Sequence, residues 1–317
     1  MVRTSTSKIP TITRILLCGT VVALILMSGC SDDGGSATGQ GTMENSVGTV
    51  SFNLKCVPGG TFPSGYDDNA GDLTAYSFWI GETEVTYELW SEVYTWAIAN
   101  GYHFANPGTM GDGTDDTDQH PVTSINWRDA IVWCNALSEM AGLVPAHKTR
   151  GYVVRDSRDS NATQCDAVRV NPSADGYRLP GECEWECAGR YLGTVDPGYG
   201  LERPASSGIF WSPGTYASGA TDDYTNETAT TKVAWYDTTG THAVKGKTAN
   251  TLGVYDMSGN VWEMMFGLAG NAWAITRGGS WSSGARSTEV GYDDVATFVM
   301  PTDAVRDDMG FRLFMTQ

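Results

Sequence analysis

Beyond residue 48 the apolar positions follow two different periods. "VSFNLKCVPGGTF" alternates apolar and polar side chains, which predicts a strand running into a Pro-Gly-Gly turn; "YSFWIGETEVT" predicts a second strand rich in aromatic and β-branched residues. From Tyr87 to about Ala99 the spacing becomes helical: Leu89, Trp90, Val93 and Ala97 share one face, and Thr86 stands where a capping side chain is needed. A second helix is predicted from Trp127 to Met140, capped by Asn126 and stopped at Gly142, with Trp127, Ala130, Ile131, Cys134 and Ala141 on its inner face. "GYRLPGECEWECAGR" reads as a strand, a proline turn and a short helix over 182–188 closed by Gly189, its acids lying favourably near the amino end. The stretch 144–174 lacks a clear period and reads as a surface insertion, and 191–230 reads as irregular.

The first thirty residues have another logic. Arg3, Lys8 and Arg14 precede the apolar run "ILLCGTVVALILM", which fits a secretory signal and is too short for a comfortable membrane span. The ending "LMSGC" resembles a bacterial lipobox, implying cleavage before Cys30, lipid on its thiol, and anchorage to a membrane. Ser31 after that cysteine points to the outer membrane or cell surface if the envelope is Gram-negative. Residues 31–48, "SDDGGSATGQGTMENSVG", offer little to bury and read as a tether. The expected organisation is therefore a signal over 1–29, a tether over 30–48, and one domain over 49–317. No repeat or Pro/Ser-rich break divides that domain. The 38 glycines, 11 Trp and 14 Tyr of the whole chain suit a loop-rich α+β domain with an aromatic core.

Charge narrows the partners. The chain carries a formal charge of −17; without the signal, 17 basic residues face 37 acidic ones, a net charge near −20. Such a surface repels phosphate backbones, so nucleic acid is not an expected partner. "DDNAGD" and "DGTDDTDQ" do not fit a calcium-loop pattern and read as solvated loops. Apart from Cys18 and Cys30, the cysteines are Cys56, Cys134, Cys165, Cys183 and Cys187, an odd number that leaves at least one thiol free or paired between molecules. Cys183 and Cys187 have a helical spacing that could share a metal, but no histidine accompanies them and packing is the simpler reading. "GTHAVKGKT" has one residue too many for a phosphate loop. The four histidines, His103, His120, His147 and His242, lack any metal or triad spacing.

Six blocks, "GETEVTYELW", "HPVTSINWRDA", "GYRLPGECEWECAGR", "GVYDMSGNVWE", "RGGSW" and "MGFRL", recur in an order and spacing that closely resemble the formylglycine-generating enzyme (sulfatase-modifying factor) family from Val57 to Leu313. The resemblance implies a variant of the C-type lectin fold, an α+β domain rich in irregular structure. It also implies one calcium ion wrapped by "GVYDMSGNVWE": carboxylate oxygens from Asp256 and Glu263, and backbone carbonyls from Gly259 and Val261. In the opposing reading Asp256 and Glu263 cap turns and pair with arginine. Gly259 would allow a tight turn, Trp262 and Trp281 would be large buried groups, and Arg178 and Arg312 would need acids such as Glu184 or Glu186.

The chain departs from the family after "RGGSW". Formylglycine-generating enzymes continue into two copper-binding cysteines; here those positions are Ser283 and Thr288, which cannot supply the soft thiolate that Cu(I) requires, so no copper is expected. Ser280 has no neighbouring base to activate it. The resemblance also reaches the displayed variable proteins of diversity-generating retroelements, in which the segment between "RGGSW" and "GFR" is the ligand surface. In this chain that segment offers Trp281, Ser282, Ser283, Arg286, Ser287, Tyr292, Asp293, Asp294, Phe298, Arg306, Asp307 and Asp308, a mixture suited to binding a protein or glycan. The leading expectation is a lipid-anchored, non-catalytic ligand-binding protein of the envelope. The alternatives are an oxidase of the formylglycine-generating type, acting on a sulfatase cysteine by another route, and a structural subunit of an envelope complex.

Overall fold

The computed structural model describes residues 41–112, 117–268, 273–292 and 299–317. Five strands form the main antiparallel sheet, in the order Thr42–Val47, Val50–Val57, Phe78–Glu84, Arg312–Thr316, Tyr177–Arg178. The last strand of the chain is thus inserted beside one of the first, with Arg312 opposite Glu84 and Phe314 opposite Ile80. This closure makes the first and last blocks of the sequence neighbours. Thr42–Val47 corrects the tether reading: Met43 and Val47 are buried, and the strand pairs in register from Thr42↔Lys55 to Val47↔Val50. Its alternation was hidden because Asn45, one of the inward residues, is polar; it is buried and satisfied by the Met43 carbonyl and by Tyr177 Oη.

Both long helices form where the spacing predicts. Tyr87–Ala99 is capped by Thr86, and Trp127–Met140 has a capping box in which Asn126 and Asp129 satisfy each other's backbone N–H. They pack through Trp90 and Trp133, stacked at 5.6 Å, with Phe311 edge-on to both. The second helix is buried on nearly every side rather than along one stripe, because the 147–170 region folds over it. That region is integral and not a surface insertion: His147, Ser157 and Cys165 are fully buried, and Asn135 clamps the backbone of His147 and Val154. The third helix, Glu182–Arg190, runs past Gly189 because the glycine is buried against Val290 and Met257 and its small size permits the approach. Tyr191–Gly193, Leu201–Glu202 and Phe210–Trp211 add a small sheet to a stretch that is otherwise irregular, as expected.

A second sheet, ordered Val299–Pro301, Trp273–Arg277, Trp262–Leu268, Met309–Gly310, carries the motif blocks. One of its strands, Trp262–Leu268, leaves directly from the turn over 253–261, and another, Trp273–Arg277, runs directly into the turn over 278–288. Cys134, Cys165, Cys183 and Cys187 are free thiols, Cys183 half-buried and the others buried; Cys56 is not free. Burial pushes Cys183 up to about 11, so at neutral pH it is a thiol and a poor metal ligand.

Candidate functional site

Two adjacent blocks hold the predicted site residues. In the first, Gly259 has φ +78°, and a Cβ there would meet the Trp235 carbonyl at 2.1 Å, so only glycine fits this turn. Glu263 is fully buried, and both of its oxygens are engaged: Arg312 donates at 2.7 and 2.6 Å, and Trp185 Nε1 at 2.8 Å. Arg312 therefore does not pair with Glu184 or Glu186. Glu184 takes Arg178 in a bidentate pair at 2.7 and 2.6 Å, while Glu186 serves Arg190 and Arg277. Glu84, which the sequence did not single out, joins this cluster by accepting from Asn260 Nδ2 at 2.7 Å and the Val261 N–H at 3.1 Å. Burial, and then the charges of Asp256 and Glu263, push its carboxyl well above the usual range.

Asp256 is buried; Oδ2 accepts the Lys245 N–H at 2.8 Å, and Oδ1 has no partner among the described residues. Burial lifts it to about 6. The four calcium positions are thus gathered on one turn, but Asp256 alone offers an anionic oxygen without a donor, since Glu263 is already the counter-ion of Arg312. The set fits a cation at Asp256 and not a full carboxylate pair. Among the described residues no group of three or more His, Cys, Asp or Glu side chains is arranged to hold a metal.

The second block begins at the glycine pair. Gly278 and Gly279 have φ +94° and +76°, and a Cβ on either would strike a carbonyl, of Met257 at 2.9 Å or of Ser287 at 2.7 Å; the pair belongs to the scaffold. The chain then turns outward. Trp281 is half-buried and is fixed through its backbone to Asn260 and Thr238, each at 2.8 Å. Ser282 and Arg286 are exposed, and Ser283 and Ser287 half-buried. Arg286 stands over the Tyr66 ring, 5.8 Å from its centroid. Arg306 and Asp307 are exposed on the facing loop.

Two members of the predicted surface are interior. Asp308 is 1 % exposed because Arg306 holds it at 2.6 and 2.8 Å while Ser280 and Ser282 donate to it at 3.0 and 2.9 Å. Tyr292 is buried with its ring 6.3 Å from Trp262, and its carbonyl accepts from Arg277. Asp293, Asp294 and Phe298 lie outside the described residues. At the two positions where relatives place thiolates, the Ser283 hydroxyl lies 3.0 Å from Ser280 Oγ, and buried Thr288 donates to the Ala285 carbonyl at 2.6 Å. Both hydroxyls are held by their neighbours, and among the described residues no basic group stands beside them to activate either one.

The sequence did not point to the loops that border this face. Asp237 and Thr238 bond to the backbone of Ser283 and Trp281, and Val290 bonds to Tyr216. Tyr66 and Tyr216, with Tyr199 stacked on Tyr216, thereby come close to the 281–290 segment. For Tyr216 the signal was compositional: the Gly, Ser, Thr, Tyr and Asp of "GTYASGATDDYTN" resemble a recognition loop but carry no periodicity.

A loop-rich α+β fold of helices and several sheets, two of them larger, with its motif blocks locked by positive-φ turns, is the C-type lectin-like architecture of formylglycine-generating enzymes. The chain belongs to the sulfatase-modifying factor enzyme 1-like domain family, whose model matches residues 44–317. It is 29% identical over 304 residues to a protein of Paenibacillus barcinonensis named chaperone protein LppX, covering 86% of this chain and 89% of that one. Among solved structures it is similar to CarF (28% identity, TM-score 0.63, 84% of this chain and 98% of the other). It is also similar to Treponema denticola variable protein 1 (27% identity, TM-score 0.65, 87% and 99%).

Proposed function

We propose that this chain is a lipid-anchored, non-catalytic envelope protein that presents a ligand-binding surface built around residues 281–308. The observation that carries the reading is the exchange at the copper positions. Ser283 and Thr288 offer hydroxyls bound to their neighbours, while Ser282, Arg286, Ser287, Arg306 and Asp307 next to them reach solvent or its edge. The similarity to a variable protein and to a protein named as a chaperone supports binding over oxidation and is consistent with an envelope location. The ligand class is a protein or a glycan. Cys30 is the lipid-bearing residue in this reading, with the outer membrane or cell surface as the site if the envelope is Gram-negative. A calcium ion would be held by Asp256 Oδ1 with the Gly259 and Val261 carbonyls, and Glu263 would contribute charge.

Incubating the full chain in detergent with a sulfatase-type cysteine peptide, copper and oxygen tests the reading directly. No turnover is expected, and formation of the aldehyde would establish the oxidase alternative instead. Labelling cells with radioactive palmitate should mark the chain and fail to mark Cys30→Ser. A retroelement-diversified version further requires a nearby imperfect repeat of the codons for Arg277 to Arg312 that differs at adenines.

A further inference from the structure

We infer that Tyr199 and Tyr216, with Asp222 and Asp223, form a fixed anchor for a cationic side chain of a partner polypeptide at the border of the 281–290 surface. The inference rests on the surface reading above and names the chemistry of its partner. The two phenol rings are stacked, centroids 5.5 Å apart and planes 29° from parallel, and both are half-buried. Tyr216 is fixed through its backbone. The Tyr216 carbonyl accepts the Val290 N–H at 2.8 Å, Ala217 bridges Glu289, and Tyr216 bridges Asp223 on the returning strand, where Tyr224 N–H donates to Thr215 at 3.0 Å. Tyr216, and through its ring Tyr199, is thereby tied to the same backbone that carries Arg286 and Ser287.

The two acids beside the rings are oriented by their own loop. Asp222 accepts from the Asp223 N–H at 2.9 Å and from Asn226 Nδ2 at 2.7 Å, and Asp223 accepts from the Thr225 N–H at 2.8 Å. Among the described residues neither carboxylate meets a basic side chain, so both negative charges remain available beside two ring faces. Ring faces attract cations through their quadrupole, and oriented carboxylates add charge-assisted hydrogen bonds. A guanidinium satisfies both demands because it is planar and carries a fork of donors. The chain's net charge of −17 favours the approach of a basic partner over an acidic one.

The test uses the full chain in detergent and two labelled octapeptides, octa-arginine and octa-citrulline, which share size and shape and differ in charge. Octa-arginine should bind, and octa-citrulline should not. Asp223→Asn, which keeps the oxygen that Thr225 needs, and Tyr199→Leu should each weaken octa-arginine by at least about threefold. Glu44→Gln, which removes the same charge from the exposed edge strand of the main sheet, should leave the affinity unchanged; thermal melts confirm that each variant is folded. The anchor is overturned if Glu44→Gln weakens binding as much as Asp223→Asn, if octa-citrulline binds equally, or if neither site variant has an effect. Failure of the anchor is distinct from failure of the surface reading, which falls only if the copper and oxygen assay gives turnover.

Discussion

The turn over 253–263 and the turn over 278–288 touch: Gly259 N–H donates to Gly278, and Trp281 N–H to Asn260, each at 2.8 Å. In the sequence both read as motif. In the fold they part. The first block turns its charges inward, where Glu263, Arg312 and Trp185 satisfy one another and Glu84 is held by Asn260 and Val261, all without access to water. The second buries Gly278, Gly279 and Ser280 and then releases Ser282, Arg286 and Ser287 toward solvent. Substitutions at the first should therefore register as lost stability, and at the second as lost recognition.

The largest effect should come from breaking the inward cluster. Glu263→Gln leaves Arg312, which is 0 % exposed, without its charge partner, and removing one member of a buried pair costs about 3–5 kcal/mol. Urea unfolding of the variant measures this; a loss below about 1 kcal/mol would mean the ion pair is not what supports the block.

Next in size is an acid response seated in the deep core. His147 is fully buried, its ring 5.2 Å from Phe266; burial, and then the charge of Arg178, lower it to about 3. Below pH 6.5 the unfolded imidazole takes a proton that the folded one refuses until about 3. The stability present above 6.5 is therefore lost as the pH falls through that window, by up to about 1.4 kcal/mol per pH unit. His147→Phe keeps the stacked ring and should flatten the slope, as read by thermal melts at stepped pH. Asp308 on the outward block should behave differently. Burial raises it, but the Arg306 hydrogen bonds and charge, with Ser282 and Ser280, outweigh that and hold it below 3.8. Its contribution is complete above that value and lost only as the pH falls beneath it. Asp308→Asn should cost about 1–3 kcal/mol, equally at pH 8 and pH 5.

Legibility divides along the same line. Both long helices were readable to the residue because cap and apolar stripe agree: Thr86 with Leu89, Trp90, Val93 and Ala97, and Asn126 with the tryptophan-led face after it. The edge strand Thr42–Val47 was not, since buried Asn45 breaks its apolar alternation and its neighbours are glycine and serine. The scaffold roles of Gly259, Gly278 and Gly279 were foreseeable from the turns they needed. The partners of Arg312 and Asp308 were not, because they depend on strand register: Glu263 faces Arg312 only once the chain's last strand is inserted in the main sheet. Tyr292 likewise reads as an aromatic anchor until its ring is seen against Trp262.

The smallest expected effect is the sharpest test of the comparison. Arg286 is exposed, and among the described residues its side chain makes no contact that holds the fold together apart from its place 5.8 Å over the Tyr66 ring. Exposed cation–π contacts contribute about 0.5–1 kcal/mol at most, and surface substitutions away from special features stay within about 0.5 kcal/mol. Arg286→Ala should therefore unfold at nearly the same urea midpoint as the parent chain, and Arg286→Ala combined with Tyr66→Leu should show a coupling no larger than that contact. A loss above about 2 kcal/mol would place the 281–288 turn among the supports of the fold, as the 253–263 turn is. The outward residues would then have to be explained by packing, and the division between a buried charge cluster and a free recognition face would fail at its most exposed member.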